Sequence, residues 1–275
     1  MADYAFLKGH GTENDFVLLP DHDGTVHGDL AAGRVRALCD RRAGIGGDGV
    51  LRVVRTRHVD DQQADAAEWF MDYRNADGHP SEMCGNGIRV FALHLVQEGL
   101  VDASTPVLVA TRDGVKTVTV DGDSITVDLG QPRDLGETRV GVDGRTWTAR
   151  HVDMGNPHAV AFVDDLADAG RLLDVPTHDP EVYPHGVNVE FVVRRGEGHV
   201  AMRVHERGVG ETRSCGTGAG AVLVATALAD GHRGGRDTSY VVDVPGGRLG
   251  LTWTADDRVL LTGPAVVVAR GTTSL

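Results

Sequence analysis

The chain has 275 residues and carries 27 Lys and Arg against 40 Asp and Glu, a formal net charge of −13. Hydrophobic residues make up 41% and charged residues 24%, proportions typical of a folded globular protein with room for two domains. The 37 glycines follow no fixed period, which excludes a collagen-like chain, and the acidic balance disfavours a nucleic-acid partner. We therefore expect a small-molecule partner.

The sequence shows no signal for export or for a membrane span. The N-terminal residues lack a basic start followed by an apolar run, and the longest uncharged apolar stretch, residues 215–229, is shorter than the roughly 20 residues of a spanning helix. Three cysteines, an odd number, do not suggest a disulfide framework. These features predict a cytoplasmic protein without a membrane partner.

The first half of the chain is predicted to contain two helices and a set of strands. A helix is expected over residues 29–40, with Asp29 as its N-cap and Cys39 as a buried core thiol. A longer helix is expected over residues 85–98, where a glycine follows the apolar run. Alternating apolar and polar residues over 104–129 predict strands and a hairpin.

The second half repeats this mixture, and β structure dominates throughout. Residues 188–194 and 199–205 predict a hairpin, and residues 216–230 predict a helix that again stops at a glycine. Three late strands are expected at residues 240–244, 249–253 and 259–261.

Both long helices begin with the same Cys-Gly-x-Gly sequence, at Cys84 and at Cys215, 131 residues apart. Matched motifs separated by nearly half the chain indicate an internal duplication. A stretch rich in Gly, Pro and charge near residues 129–140 predicts the boundary. We expect a first domain over residues 1–129 that carries Cys84 and a second over 130–263 that carries Cys215.

A cysteine at a helix N-terminus is suited to acid/base chemistry. The free N–H groups of the first turn favour the thiolate, and they can also bind a carboxylate. Two such helix ends facing one substrate would place a sulfur on each side of the carbon next to its carboxylate, the arrangement of a two-base racemase or epimerase. The chain has only two lysines and no zinc-ligand pattern, so we expect neither pyridoxal phosphate nor a metal.

Several segments carry a resemblance to a known family: KGHGTENDF (8–16), RRAGIGGDGV (41–50), YRNADGHPSEMCGNGIRVF (73–91), MGNPHAV (154–160), NVEF (188–191) and HERGVGETRSCGTGAGA (205–221). They resemble diaminopimelate epimerase, in the family's order. The resemblance implies a cofactor-independent interconversion of LL- and meso-diaminopimelate in lysine and cell-wall biosynthesis. It also implies a homodimer and an α+β fold of two pseudo-symmetric domains, each a β-rich sheet or barrel around a central helix, with residues 264–275 returning to the first domain.

The resemblance also implies site residues. Cys84 would be the proton donor and Cys215 the proton acceptor, with His158 and Glu206 tuning the pKa values of the thiols. Glu206 and Arg207 would bind the distal ammonium and carboxylate of the substrate. The remaining substrate-binding residues would be Asn14, Asn75, Gly85, Asn86, Asn156, Asn188, Gly216 and Thr217.

The chain departs from the family at Gly49, where some members carry a substrate-binding glutamine, and at His79-Pro80, which should only stiffen a loop. Two alternatives stay open. A proline or hydroxyproline racemase also uses two opposed cysteines, but its cyclic substrate leaves the distal-end residues without a role. A dinucleotide-binding oxidoreductase matches the glycine pattern of residues 44–49 but lacks the strand that should precede it.

Overall fold

The computed structural model describes residues 3–59, 66–232 and 234–275. Within these ranges strands dominate, and three α-helices and two short 3-10 helices accompany them, which confirms the α+β prediction. No helix among the described residues is both long and apolar enough to span a membrane. The chain divides into two compact units, one formed by the chain up to Val127 together with Gly263–Leu275, the other by Asp128–Thr262.

The first unit contains two α-helices and eight strands. Its elements are β1 (Tyr4–Gly11), β2 (Asn14–Pro20), α1 (Ala32–Cys39), β3 (Gly49–Arg55), a 3-10 helix (Thr56–His58), β4 (Trp69–Asn75), α2 (Gly85–Gln97), β5 (Val107–Thr111), β6 (Gly114–Asp121), β7 (Ser124–Asp128) and, from the end of the chain, β18 (Val266–Thr273). The strands follow the order β18-β1-β2-β3-β4-β5-β6-β7, with parallel pairing only at β2–β3 and β4–β5 among these described neighbours.

Helix α2 is the centre of this unit. It packs against β1, β2, β3, β4, β5, β6 and β18, and its residues are buried on all sides from Gly85 to Leu95. A helix that is buried on all sides needs neighbours around its whole circumference, and these strands supply them. The predicted helix over residues 85–98 is confirmed.

The predicted first helix is shorter than expected and its predicted cap is wrong. Helix α1 begins at Ala32, and its N-cap residue Ala31 makes no capping hydrogen bond through its side chain. Asp29 instead accepts a hydrogen bond from Arg74 Nη2 at 3.0 Å. Cys39 lies at the helix end in a core cluster with Val35, as expected of a structural thiol.

The second unit is built in the same way around helix α3. Its elements are β8 (Arg133–Val142), β9 (Arg145–Asp153), β10 (Pro157–Phe162), a 3-10 helix (Leu166–Ala169), β11 (Thr177–His178), β12 (Asn188–Gly196), β13 (His199–Glu206), β14 (Gly210–Thr212), α3 (Gly216–Ala229), β15 (Thr238–Val244), β16 (Gly247–Trp253) and β17 (Val259–Gly263). The predicted hairpin, the third helix and the late strands are confirmed. Helix α3 packs against β9, β10, β12, β15 and β16.

The two units share one order of strand pairings. The pairs β1–β2, β2–β3, β3–β4, β4–β5, β5–β6 and β6–β7 are antiparallel, parallel, antiparallel, parallel, antiparallel and antiparallel. The pairs β9–β10, β10–β12, β12–β13, β13–β15, β15–β16 and β16–β17 repeat that order. The cysteine-capped helix stands between the fourth and fifth strands each time. The duplication inferred from the two cysteines therefore extends to the topology.

The shared topology makes individual positions equivalent. The parallel ladder begins with Phe16 opposite Gly49 in the first unit and with His158 opposite Asn188 in the second. Asn14 and Asn156 each lie two residues before that first pair, so they are equivalent. By the same register Leu51 corresponds to Glu190.

Candidate active site

The first half-site surrounds the N-terminus of α2 in the first unit. Cys84 is the N-cap residue, with an extended backbone (φ −138°, ψ 119°), and its sulfur accepts a hydrogen bond from the N–H of Gly87 at 3.4 Å. Gly85 and Asn86 follow as the first helical residues and are buried. The first N–H groups of a helix have no partner within the helix, so this end is a site of positive potential.

Asn14 and Asn86 lie beside the Cys84 sulfur. Oδ1 of Asn14 accepts from Cys84 Sγ at 3.6 Å and from Asn86 Nδ2 at 3.1 Å. Asn14 follows a two-residue turn, Thr12-Glu13, in which both residues have positive φ values, 49° and 61°. The structure thus brings three of the predicted site residues together.

Asn75 ends strand β4 and is braced by its neighbours. Its side-chain Oδ1 accepts from the Tyr73 hydroxyl at 2.7 Å, and its backbone N–H donates to the His79 carbonyl at 3.0 Å. Gly49, opposite Asn75 in the sheet, leaves no room for a side chain, because a Cβ there would lie 2.6 Å from the Arg74 carbonyl oxygen. A glutamine at this position would require the neighbouring strand to shift.

The second half-site surrounds the N-terminus of α3 in the second unit. Cys215 is the N-cap residue (φ −122°, ψ 116°), and its sulfur accepts a hydrogen bond from the N–H of Gly218 at 3.4 Å. The Thr217 hydroxyl lies 3.6 Å from the same sulfur, and Gly216 is buried at the first helical position. The device of the first half-site is therefore repeated with nearly the same dihedral angles and the same hydrogen bond.

His158 lies in this half-site between two oxygen atoms. Its Nδ1 is 2.7 Å from Glu190 Oε1 and its Nε2 is 2.9 Å from Asn156 Oδ1. The side chains of His158 and Glu190 are fully buried, and Glu190 Oε2 has no hydrogen-bond partner among the described residues. A Cβ on Gly218 would lie only 2.7 Å from Glu190 Oε1, so the glycine lets the carboxylate approach the helix end.

Glu206 is the last residue of strand β13 and Arg207 follows it, and the two side chains have different surroundings. The Glu206 carboxylate accepts a short hydrogen bond from the Thr212 hydroxyl and is hydrogen-bonded to the Cys215 thiol, whereas Arg207 is exposed. Asn188 joins the two segments: its Nδ2 donates to the Pro157 carbonyl at 3.0 Å and its Oδ1 accepts from the Arg207 N–H at 2.9 Å.

The environment of Cys215 holds its proton in place. Burial raises the pKa of the Cys215 thiol well above its ordinary value, and the carboxylates of Glu206 and Glu190 raise it further. The hydrogen bonds from Gly218 and Thr217 act in the opposite direction but are the smaller effect. Burial likewise raises the pKa of Glu206. The helix N-terminus alone therefore does not make this thiol a resting thiolate.

Three residues at the half-sites were not identified from the sequence: Asp48, Arg89 and Glu190. Asp48 accepts from Asn14 Nδ2 at 2.7 Å, and Arg89 Nη2 donates to the Thr12 hydroxyl at 3.1 Å. Arg89 is fully buried beneath the first half-site, and burial lowers its pKa to about 10. A signal for Glu190 was present, because a lone carboxylate in the apolar run NVEFVV is costly to bury without a function or a partner.

Each half-site offers N–H groups that can bind an anion and a sulfur that can exchange a proton. Proton transfer next to a carboxylate requires both. The described residues contain no group of three His, Cys, Asp or Glu side chains arranged to hold a metal ion.

Comparison with known proteins assigns the family. The family model for diaminopimelate epimerase matches residues 6–135 and 150–268. A diaminopimelate epimerase of Streptomyces coelicolor is 57% identical over 97% of this chain and 94% of its own length. Those of Corynebacterium glutamicum (strain ATCC 13032) and Thermobifida fusca are 47% and 46% identical, each over 97% of this chain and 96% of their own length.

Solved structures with lower identity share the fold. A phenazine biosynthesis protein of the PhzF family from Bacillus anthracis aligns with a TM-score of 0.71 at 15% identity, covering 100% of both chains. A hydroxyproline epimerase from Agrobacterium vitis aligns with a TM-score of 0.66 at 17% identity, covering 99% of this chain and 93% of that one. With two matched cysteine-capped helices and a family match over most of its length, the chain belongs to the diaminopimelate epimerase family.

Proposed function

We propose that this protein is an isomerase that interconverts LL- and meso-diaminopimelate in lysine and cell-wall biosynthesis, without a cofactor. The observation that carries the proposal is the repeated thiol: Cys84 and Cys215 each cap a buried helix and each accept a hydrogen bond from its third N–H at 3.4 Å. A reaction that inverts one carbon needs an acid and a base of similar chemistry, and two copies of one device supply them.

In the proposed reaction, the thiolate of Cys215 removes the α-proton and becomes a thiol, while the thiol of Cys84 delivers its proton to the opposite face and becomes a thiolate. The reverse reaction exchanges these roles. No proton is gained or lost overall, and the next turnover requires only that the protons on the two sulfurs return to their starting distribution. The pKa of Cys215 is raised in the free protein, so its sulfur carries a proton there. Binding of the charged substrate must therefore remove that proton before Cys215 can act as the base.

The N–H groups of Gly85, Asn86, Gly216 and Thr217 would bind the carboxylate next to the reacting carbon. Removing the α-proton adds a second negative charge there, and fixed N–H donors stabilise that charge without reorganising. No electron sink is then required. This assignment is supported by the helix ends that present these four residues.

At the distal end of the substrate, Arg207 would bind the carboxylate and Glu206 would bind the ammonium group. Amide hydrogen bonds to the substrate would come from Asn14, Asn75, Asn156 and Asn188. The exposed side chain of Arg207 suits a role in capturing an anion. The contact of Glu206 with the Cys215 thiol supports its second proposed role, the tuning of that thiol together with His158.

We further propose that each unit acts as a domain contributing one thiol, and that the enzyme works as a homodimer in the cytoplasm. Its three cysteines, an odd number, do not suggest a disulfide framework, which suits a reducing compartment. The dimer rests on the family resemblance.

The proposal is tested by an assay with LL-diaminopimelate and no added cofactor, run beside L-proline and trans-4-hydroxy-L-proline. We expect turnover of diaminopimelate alone, and its loss in Cys84→Ala and Cys215→Ala variants that retain the circular dichroism spectrum of the wild type. Racemisation of proline without turnover of diaminopimelate would reject the substrate, and full activity in either variant would reject the two-thiol mechanism.

A further inference from the structure

The amide of Asn14 is held in one orientation by Asp48. Nδ2 of Asn14 donates to Asp48 Oδ2 at 2.7 Å. Asp48 also accepts from the Asp15 backbone N–H at 3.2 Å and from Arg41 Nη2 at 2.8 Å, and its own N–H donates to the Asp15 carbonyl at 2.7 Å. Both carboxylate oxygens of Asp48 therefore accept hydrogen bonds from N–H donors, and its backbone is held by a hydrogen bond as well.

This anchoring decides which end of the amide faces the thiol. A carboxylate accepts hydrogen bonds, so the nitrogen of Asn14 must point to Asp48 and its oxygen must point away. That oxygen lies 3.6 Å from Cys84 Sγ and also accepts from Asn86 Nδ2 at 3.1 Å. Were the amide turned over, a nitrogen would face the sulfur instead.

Two hydrogen bonds at the Cys84 sulfur, with Asn14 and with Gly87, favour opposite charge states. The bond from the Gly87 N–H favours the thiolate, while a carbonyl oxygen can bond only to the protonated sulfur. We infer that Asp48 is a positioning residue which, by holding the oxygen of Asn14 toward Cys84, keeps the proton on that sulfur. Cys84 then rests as the acid of the pair, an inference that deepens the proposed function and depends on it for its catalytic meaning.

The equivalent asparagine in the second half-site is anchored by its other end. Oδ1 of Asn156 faces His158 Nε2 at 2.9 Å, and the ring is held by Glu190 on its far side. Equivalent amides are thus held by nitrogen in one half and by oxygen in the other. Opposite anchoring of equivalent amides is one means of building a difference between the two thiol environments into a duplicated fold.

Asp48 belongs to a network of charged side chains: it pairs with Arg41 after α1, and Arg41 and Lys8 on β1 both pair with Asp15 on β2. Arg89 on α2 interacts electrostatically with Cys84. Removing the Asp48 charge therefore changes the local field as well as the amide, and the test must separate the two effects.

The test measures the rate at which iodoacetamide alkylates Cys84 as a function of pH, quantified on the Cys84 peptide by mass spectrometry in the full chain without substrate. In Asp48→Ala the Asn14 amide is free to turn, and we expect the profile to move to lower pH, with about tenfold faster alkylation at pH 7. Asp48→Asn loses the charge but retains an oxygen to hold Asn14, so it should stay within about threefold of wild type.

Arg41→Gln is the matched control, because it removes a partner of Asp48 and leaves the bond to Asn14 intact. We expect its profile within about twofold of wild type, or displaced to higher pH through the lost positive charge. Equal shifts in Asp48→Ala and Asp48→Asn would assign the effect to charge and overturn the inference, as would an unchanged Asp48→Ala profile.

A second measurement covers the case in which Asp48→Ala does not fold. The S–H stretching band of Cys84, isolated in the wild-type infrared spectrum by subtracting that of Cys84→Ala, should lie at the lowered frequency of a hydrogen-bonded thiol. A band at the frequency of a free thiol would overturn the inference. Both measurements omit substrate. They can therefore reject the role of Asp48 without rejecting the epimerase activity, and the activity assay can reject the proposed function without rejecting the role of Asp48.

Discussion

Nδ1 of His158 lies 2.7 Å from Oε1 of Glu190, and the equivalent positions in the other half-site hold the apolar pair Phe16 and Leu51. All four side chains are fully buried. Each pair also lies against the third residue of its helix: a Cβ on Gly87 would lie 3.3 Å from Leu51, and one on Gly218 would lie 2.7 Å from Glu190. One packing position is therefore apolar in one half and polar in the other.

Copying the apolar pair into the second half-site should preserve the fold and abolish activity. Replacing both partners of a buried hydrogen bond by well-packed apolar residues is often nearly neutral or stabilising, so the double variant His158→Phe, Glu190→Leu should not lose unfolding free energy. Its epimerase activity should fall by at least about a hundredfold, because the groups that tune Cys215 and hold Asn156 are gone. Urea denaturation and the cofactor-free assay measure the two effects.

The single variant Glu190→Leu tests the same pair from one side. It leaves the buried Nδ1 of His158 without its hydrogen-bond partner, and we expect a loss of about 1–3 kcal/mol in unfolding free energy. Arg194→Gln breaks an exposed ion pair with Asp230 and serves as control, with an expected change below about 1 kcal/mol. A double variant as unstable as the single one would show that the pair stabilises the fold after all.

Glu206 should control the reactivity of Cys215. Burial is the largest cause of the raised pKa of the Cys215 thiol, and the Glu206 carboxylate is the next. Glu206→Gln should therefore lower the pKa of Cys215 and increase its thiolate fraction at neutral pH. We expect methyl methanethiosulfonate to modify Cys215 about tenfold faster at pH 8. Glu211→Gln, which removes a carboxylate paired with Arg203, is the control. Unchanged Cys215 reactivity in Glu206→Gln would contradict this role.

His94 should make the first unit sensitive to acid. It is 1% exposed on α2, neither ring nitrogen has a hydrogen-bond partner among the described residues, and burial lowers its pKa from 6.5 to about 4. Below pH 6.5 the unfolded chain binds this proton and the folded chain does not, so stability is lost as pH falls from 6.5 toward 4.

Between pH 7.5 and 5, His94→Leu should therefore lose about 2 kcal/mol less unfolding free energy than wild type, as measured by urea denaturation at both values. His79→Leu, in an exposed loop position, should follow the wild type. An equal loss in wild type and His94→Leu would show that the buried ring takes no part in acid unfolding.

Elements with strong local signals were predicted from the sequence. The helices after Cys84 and Cys215 were indicated by a capping residue, an apolar run and a final glycine, and the hairpin of β12 and β13 by its alternation. The two compact units divide between Val127 and Asp128, directly before the stretch at residues 129–140 that was predicted as a boundary from its Gly, Pro and charge. Residues 133–140 of that stretch form most of β8, whose irregular register between Asp134 and Glu137 accommodates them.

Features that depend on tertiary pairing were not predicted. Asp29 looked like a helix cap, but Arg74, distant in sequence, binds it instead. Asp48 lies in a glycine-rich stretch typical of a turn, before β3. The residues around it in the sequence give no sign of its hydrogen bond to Asn14 at the start of β2. Glu190 was inside a quoted motif, but its significance appears only when the two units are compared strand by strand.

The central claim is that two thiols act on one carbon, and the most direct test is isotope incorporation in deuterated water at low conversion of LL-diaminopimelate. The two-thiol account predicts that the meso product carries one deuterium, at the inverted α-carbon, while recovered LL substrate stays unlabelled, because the group that removes the proton is not the one that delivers the new one. Deuterium accumulating equally in recovered substrate and product, or product that retains its original proton, would contradict it.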